Sequence, residues 1–254
     1  MNGCDQPGLM TVEQALERLL AAAQPMSDTE TVSFMQALGR VLAADQQSPV
    51  DVPPADNSAM DGFALRFADC HAGEETTLPI SQRIPAGAVP EPLQPGSAAR
   101  IFTGAEVPPG ADTVVMQEQC RWDNARVTLA ADIKSGTNIR PIGQDIHRGA
   151  TVLVRGHRLK PQDLGLLASV GIAEVPVYRR LKVALLCTGD ELVEPGEPLP
   201  PGHIYNSNRF TLMGQLQALG FDYVDLGRVA DTPEATEQVL RRAAAEADCI
   251  ISSG

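Results

Sequence analysis

The chain has 254 residues, enough for two or three small domains that each bury a core, and its 43% hydrophobic and 20% charged side chains are those of an ordinary soluble protein. Twenty basic against thirty-two acidic residues leave a net charge of −12, which excludes general affinity for nucleic acid or anionic lipid. No apolar run approaches the roughly 18 residues of a membrane span, and Met1-Asn2-Gly3-Cys4-Asp5 lacks the basic region and apolar core of a signal peptide, so a cytoplasmic protein is expected, with no membrane or nucleic-acid partner.

The first helical signal starts at Thr11. Val12, Ala15, Leu16, Leu19 and Leu20 recur at helical spacing, Thr11 suits the N-cap, and Pro25 lies beyond the end. A second short helix is expected over Ser33 to Leu42, with Phe34, Leu38, Val41 and Leu42 on one side, before Ser48-Pro49-Val50-Asp51-Val52-Pro53-Pro54 breaks regular structure. From there to Gly143, Gly and Pro are frequent and β-like runs are short, as in Ala99-Arg100-Ile101-Phe102 and Thr113-Val114-Val115-Met116, which predicts a compact β domain. Thr103-Gly104-Ala105 and Pro108-Pro109-Gly110 must turn, because neither can continue a ladder. Thr151 to Val154 and Gly171 to Val177 read as strands around a helix over Gln162 to Ser169, and this stretch is expected to return to the N-terminal helices.

After Arg179-Arg180 the pattern becomes strand, helix, strand, helix, strand. Leu181 to Cys187 is almost wholly apolar, Asn208 to Leu219 spaces Phe210, Met213, Leu216 and Leu219 for one helical face, and Tyr223 to Val229 is a second strand. Thr232, Pro233 and Glu234 open the next helix as cap, first helical position and dipole partner. Cys249 to Ser252 follows as a third strand. This alternation predicts a parallel sheet.

The five cysteines, Cys4, Cys70, Cys120, Cys187 and Cys249, are scattered and carry neither a zinc nor a disulfide pattern. Arg140, Arg148, Arg155, Arg158 and Lys160, with His147 and His157, form a basic island against Asp145 and Asp163; it reads either as a solvated face or as an attraction for a small anion. Carboxylates recur beside turns: Asp61 before Gly62, Asp145 in Gly143-Gln144-Asp145-Ile146, Asp190 and Glu191 after Thr188-Gly189, and Asp231 after a strand. Each alone has a local explanation, bracing a turn or capping a helix. Together, at strand ends and turns, they suggest oxygen ligation of Mg²⁺ beside a phosphate, with Glu191 the best placed. Thr103 and Thr188 add hydroxyls on glycine-linked turns.

Pro53-Pro54-Ala55-Asp56-Asn57-Ser58-Ala59-Met60-Asp61-Gly62-Phe63-Ala64 resembles the signature of the MoeA/gephyrin E-domain family of molybdenum cofactor biosynthesis. The likeness continues in order through Arg100-Ile101-Phe102-Thr103-Gly104-Ala105, Val114-Val115-Met116-Gln117-Glu118, Asn138-Ile139-Arg140, Gly143-Gln144-Asp145-Ile146 and Thr188-Gly189-Asp190-Glu191-Leu192. It implies a multidomain α/β and β fold in three parts: an elongated helical and β linker or dimerisation domain over residues 8–50 and 144–178, a compact inserted β domain over 51–143, and an incomplete parallel α/β sheet resembling the molybdopterin-binding fold over 179–254.

The resemblance further implies a Mg²⁺-dependent molybdopterin molybdenumtransferase, which inserts molybdate into adenylated molybdopterin and releases AMP. Asp61, Thr103, Asp145 and Asp231 then match polar positions of the catalytic cleft, Thr188, Gly189, Asp190, Ser253 and Gly254 the cofactor-binding side, and Glu191 a metal ligand. A homodimer and an upstream molybdopterin adenylyltransferase are implied as partners. Family members continue past Ser252-Ser253-Gly254 with a glycine-rich loop, an acidic metal-site residue, basic molybdate-site residues and a further β domain, so the alternative is a noncatalytic binding or dimerisation fragment.

Overall fold

Alternation between Phe63, Ala64 and Leu65 decides how the central β structure is built. In the computed structural model, which describes residues 10–254, the strand Gly62–Leu65 (β1) is buried throughout because its successive side chains point to opposite faces and each face has a core. Phe63 and Leu65 pack with Leu78, Ala98, Val115, Val127 and Leu129. Ala64 packs on the other side with Ile84, Ala99, Ile101 and Val114.

This strand belongs to a six-stranded sheet with Thr76–Ile84 (β2), Ala98–Ile101 (β3), Thr113–Met116 (β4), Cys120–Trp122 (β5) and Arg126–Leu129 (β6), in the order β4-β1-β3-β2-β6-β5. Every neighbouring pair is antiparallel except β2 with β3. At Gly62 the strands β1 and β4 approach so closely that a Cβ would stand 2.0 Å from the Val115 carbonyl oxygen. The compact β region expected after the proline-rich break is therefore a sheet whose central strands β1 and β3 are buried on both faces.

The chain divides into two compact units. One takes in the described residues up to Val32, then Gly39–Ala43 and Pro176–Gly254; the other is Ser33–Leu38 with Ala44–Val175 and contains the six-stranded sheet. Residues 8 and 9 of the first predicted span, and Cys4, lie outside the described residues.

Four α-helices occur among the described residues: Val12–Ala22 (α1), Pro161–Ser169 (α2), Ser207–Leu219 (α3) and Pro233–Glu246 (α4). At the start of α1 the Thr11 hydroxyl accepts the Gln14 N–H at 3.3 Å while the Gln14 side chain accepts the Thr11 N–H at 3.1 Å, a reciprocal cap. No α1 residue is buried. In α2, Pro161 takes the first turn, the Asp163 carboxylate accepts the Lys160 N–H at 2.7 Å, and Leu167 is fully buried.

The helix expected over Ser33 to Leu42 does not form. Only Phe34–Gln36 makes a short 3₁₀ turn; Gly39 then takes φ +75, and Leu42 enters an antiparallel bridge with Val177, with the Ala43 N–H donating to Pro176 O at 2.9 Å. Strand pairing satisfies backbone groups that a lone short helix would leave unpaired at both ends.

The parallel sheet predicted after Arg180 is present. Lys182–Thr188 (β7) lies between Asp222–Val229 (β8) and Cys249–Ser253 (β9), and both pairings are parallel. Five of the seven β7 residues are buried, as a strand flanked on both edges requires. The apolar face expected on α3 is only partly covered: Leu216 is buried, whereas Phe210 and Leu219 are about half exposed.

Candidate functional site

Three motif segments meet around Asn57–Asp61. Asn57–Ser58 pairs antiparallel with Ile139–Arg140, Ala59 N–H donates to Asn138 O at 2.9 Å, and Gly104 N–H donates to Ser58 O at 2.8 Å. This framework places the Thr103 turn beside Asp61. Both the Thr103 N–H and the Thr103 hydroxyl donate to Asp61 Oδ1, each at 2.8 Å. Those two bonds, backbone first, hold the Asp61 carboxyl below the usual carboxylate range, with a smaller contribution from the Arg100 charge.

Arg100 was not among the sequence candidates, yet it underpins this corner. Only 9% exposed, it donates to Gly62 O at 3.0 Å and to the Gln117 side-chain oxygen, while the Gln117 N–H donates to Asp61 O at 3.0 Å. The signal for Arg100 was its place two residues before Phe102-Thr103 on a strand buried on both faces, where a cation needs a purpose. Asp145 does not join the pair through any hydrogen bond of the described residues; its Oδ2 accepts from Arg140 at 2.6 Å.

Two members of the basic island are paired with neighbouring carboxylates. Arg140 pairs with Asp145, and His157 Nε2 lies 2.7 Å from Asp163 Oδ2. Burial raises the Asp163 carboxyl, but bonds from His157 and the Lys160 N–H outweigh it and leave the group below its ordinary value. Arg140 and His157 are thereby paired with local carboxylates.

In the other unit, the turn after β7 is shaped by Gly189 at φ +141, where a Cβ would stand 2.8 Å from Glu191 Oε2 and 3.0 Å from Leu192 Cγ. Glycine is needed there both for its backbone angle and to let Glu191 fold back over it. Asp190 and Asp231 brace each other's turns: Asp190 N–H donates to Asp231 Oδ2 at 3.3 Å and Asp231 N–H to Asp190 Oδ1 at 3.5 Å. Their role here is to fix two adjacent strand ends.

Glu191, Asn206, Ser207, Asn208, Ser253 and Gly254 line a small cavity of about 80 Å³ at the start of α3. Asn206 caps the helix through its Oδ1, which accepts the Arg209 N–H at 3.3 Å, and Asn208 Nδ2 donates to Ser253 Oγ at 3.1 Å. Arg209 anchors the first turn of α3 by donating to both oxygens of Asp225 and to Glu194. Burial raises the Asp225 carboxyl, and the bonds from Arg209 and the Gly227 N–H more than offset it. The sequence reading missed Asn206 and Asn208, although Asn206-Ser207 ahead of an apolar helical repeat is a cap signal.

Among the described residues no three His, Cys, Asp or Glu side chains gather as a metal cluster. Glu191 stands as one carboxylate among neutral oxygens of Ser207, Asn208 and Ser253. Such a donor set suits a hard cation that keeps most of its water and meets a phosphate, as Mg²⁺ does, and does not suit a dedicated all-protein cage.

Residues 10–171 match a protein family described as "MoeA N-terminal region (domain I and II)", and residues 184–254 one described as "Probable molybdopterin binding domain". The chain is 42% identical over 248 residues to a protein of Haemophilus influenzae named molybdopterin molybdenumtransferase, covering 97% of this chain and 61% of that one. It is 36% identical over 251 residues to a protein of the same name from Bacillus subtilis, covering 96% and 58%. The crystal structure of the molybdopterin biosynthesis MoeA protein from Pyrococcus horikoshii superposes with a TM-score of 0.88 at 33% identity, over 95% of this chain and 65% of that one. The chain thus spans about 60% of the length of the curated relatives it matches.

Proposed function

This chain belongs to the MoeA family, and from that premise we propose that it acts in molybdenum cofactor biosynthesis as a molybdopterin molybdenumtransferase, inserting molybdate into adenylated molybdopterin with release of AMP. The observation that carries this reading is the Asp61–Thr103 pair, two family-motif residues 42 positions apart that share one carboxylate oxygen. Asp61 Oδ2 receives no hydrogen bond from the described residues and is free to accept one from a substrate hydroxyl, amine or bound water.

Glu191, with the oxygens of Ser207, Asn208 and Ser253, would hold Mg²⁺, which supplies charge neutralisation for phosphate oxygens when bound. Thr188, Gly189 and Asp190 shape the neighbouring strand end, and Ser253 and Gly254 line the same cavity as Glu191, which supports a cofactor-binding role for this group. Asp145 and Asp231 act in this reading by holding Arg140 and the Asp190 turn in place. A homodimer fits the apolar stripe of α1, where Val12, Leu16, Leu19 and Leu20 are all more than half exposed. The upstream partner is an enzyme that adenylates molybdopterin, and the cytoplasm is the compartment.

The test is AMP release from adenylated molybdopterin by the purified 254-residue chain, with molybdate and Mg²⁺ each varied. Turnover that requires both, and that falls in Asp61→Asn, supports the transferase. Glu191→Gln should keep the fold and weaken the response to Mg²⁺; an unchanged magnesium titration removes Glu191 from the metal role. Substrate binding without AMP release favours the second reading, a binding or dimerisation role without turnover.

A further inference from the structure

A second cavity, about 410 Å³, is lined by Ile80, Arg83, Arg100, Phe102, Trp122, Asp123 and Asn124, the Phe102 of this lining standing next to Thr103. Its volume lies in the range of small-molecule clefts. Two guanidinium groups face it. Arg100, nine-tenths buried, lies 5.0, 4.8 and 5.0 Å from the ring centroids of Phe63, Phe102 and Trp122. Arg83, exposed, lies 4.5 Å from the Phe102 centroid.

Among the described residues no carboxylate forms an ion pair with either arginine, and the Arg83 side chain donates no hydrogen bond. This is unusual in a chain of net charge −12, where anionic partners are abundant. Stacking on an aromatic ring uses the face of a guanidinium and leaves the N–H rim of Arg83 available for a bidentate anion, while Arg100, whose rim donates to Gly62 O and the Gln117 side chain, contributes its charge. Two cations sharing one ring also repel each other, a cost that an anion between them would remove. The one carboxylate of the lining has one oxygen engaged locally: Asp123 Oδ1 accepts the N–H groups of Ala125 and Arg126 at 2.7 and 2.8 Å. Trp122 keeps 49% of its surface open, a flat apolar platform beside these charges.

We propose that this cavity binds a planar heteroaromatic ring carrying a phosphate, as a purine nucleotide does, with the ring on Trp122 and the phosphate held by the Arg83 rim in the field of the Arg100 charge. The Asn124 amide offers a donor and an acceptor to a base edge. Occupancy is felt at the Asp61–Thr103 pair, because Phe102 precedes Thr103 and Arg100 holds the carbonyl of Gly62, next to Asp61. The inference is independent of the transferase reading: it follows from the two rings and the two guanidinium groups, and its test requires no turnover.

Trp122 is the chain's one tryptophan, so intrinsic fluorescence reports this cavity. Titrating the full chain with AMP is expected to give a saturable change in emission. Arg83→Ala, an exposed substitution whose fold is checked by thermal melting, should weaken AMP binding about tenfold, as loss of a charge-assisted contact does. Adenosine and inorganic phosphate should each bind at least about tenfold more weakly than AMP, since each supplies half of the recognition. No saturable response to AMP, equal affinity in Arg83→Ala, or inorganic phosphate binding as tightly as AMP would each overturn the proposal.

Discussion

Thr103 places two hydrogen bonds, from its N–H and its hydroxyl, on the same oxygen of Asp61 at 2.8 Å each. One carboxylate oxygen is thereby fixed and the other left open, which orients the group without using up its capacity to accept. The arrangement depends on chain crossings at Asn57–Ser58 rather than on either residue alone.

Removing the hydroxyl while keeping the N–H tests this relationship. Thr103→Val should raise the Asp61 pKa toward its ordinary value of 3.8, because a donor to the charged form is lost. Thr103→Ser should leave it low. Carbon NMR titration of the aspartate carboxyls reads the shift, and an Asp61 midpoint equal in the two variants would remove the hydroxyl from this role.

Asp248 supports a prediction about pH. Arg179 donates to both of its oxygens at 2.9 and 2.8 Å and the Lys182 N–H donates at 2.8 Å, which depresses the carboxyl to about 2. A folded pKa below the unfolded one stabilises above the unfolded value, near 3.8, and the stabilisation disappears as pH falls from there to about 2. The full shift corresponds to at most about 2.5 kcal/mol, and with the side chain 27% exposed about 1 kcal/mol is expected. Asp248→Asn should therefore destabilise the chain at pH 7 and flatten the acid limb of its denaturant midpoint between pH 4 and 2; a limb as steep as the parent's would contradict the linkage.

Regular elements were readable where one periodicity ran unopposed. The cap of α1 at Thr11 and the start of α4 at Thr232 follow from local chemistry, with Thr232 accepting the Ala235 N–H at 3.3 Å. Ser33 to Leu42 shows where that reading ends: its apolar spacing suits a helix, but Gly39 turns with positive φ and Leu42 finds a strand partner 135 residues away at Val177. Of the candidate site, Asp61 and Thr103 were legible because both stand at glycine turns. Arg100, Gln117 and Asn206 were not, since their roles come from partners distant in sequence or from burial that composition does not reveal.

Gly62→Ala offers a sharp test of the sheet. The new Cβ would meet backbone atoms only, Val115 O at 2.0 Å and Val115 C at 2.9 Å, so no side chain can move aside and β1 and β4 must separate. A loss of about 3 kcal/mol or more is expected, as for overpacking in a well-filled core with broken ladder bonds. Gly104→Ala, where nothing lies within 4 Å but φ is +81, should cost only about 1 kcal/mol. Equal denaturant midpoints for the two variants would show that the close approach at Gly62 is not what holds the register.

Helix α1 carries an exposed apolar stripe. Its cap is complete, yet none of its residues is buried, and Val12, Leu16, Leu19 and Leu20 are 80, 54, 70 and 66% exposed. A helix of 11 residues is marginal by itself in water and draws its stability from packing of an apolar face. The stripe therefore calls for cover, and in the proposed homodimer a second copy of the chain would supply it symmetrically, because a two-fold contact places the same patch on both sides. Leu16→Glu with Leu19→Glu should shift the chain from dimer to monomer in sedimentation equilibrium without changing the melting of the six-stranded sheet, in which α1 has no residues. A parent chain that sediments as a monomer at micromolar concentration, or a double variant that stays dimeric, would remove α1 from the interface; charge introduced elsewhere on the helix, at Arg18→Glu, should leave the dimer intact.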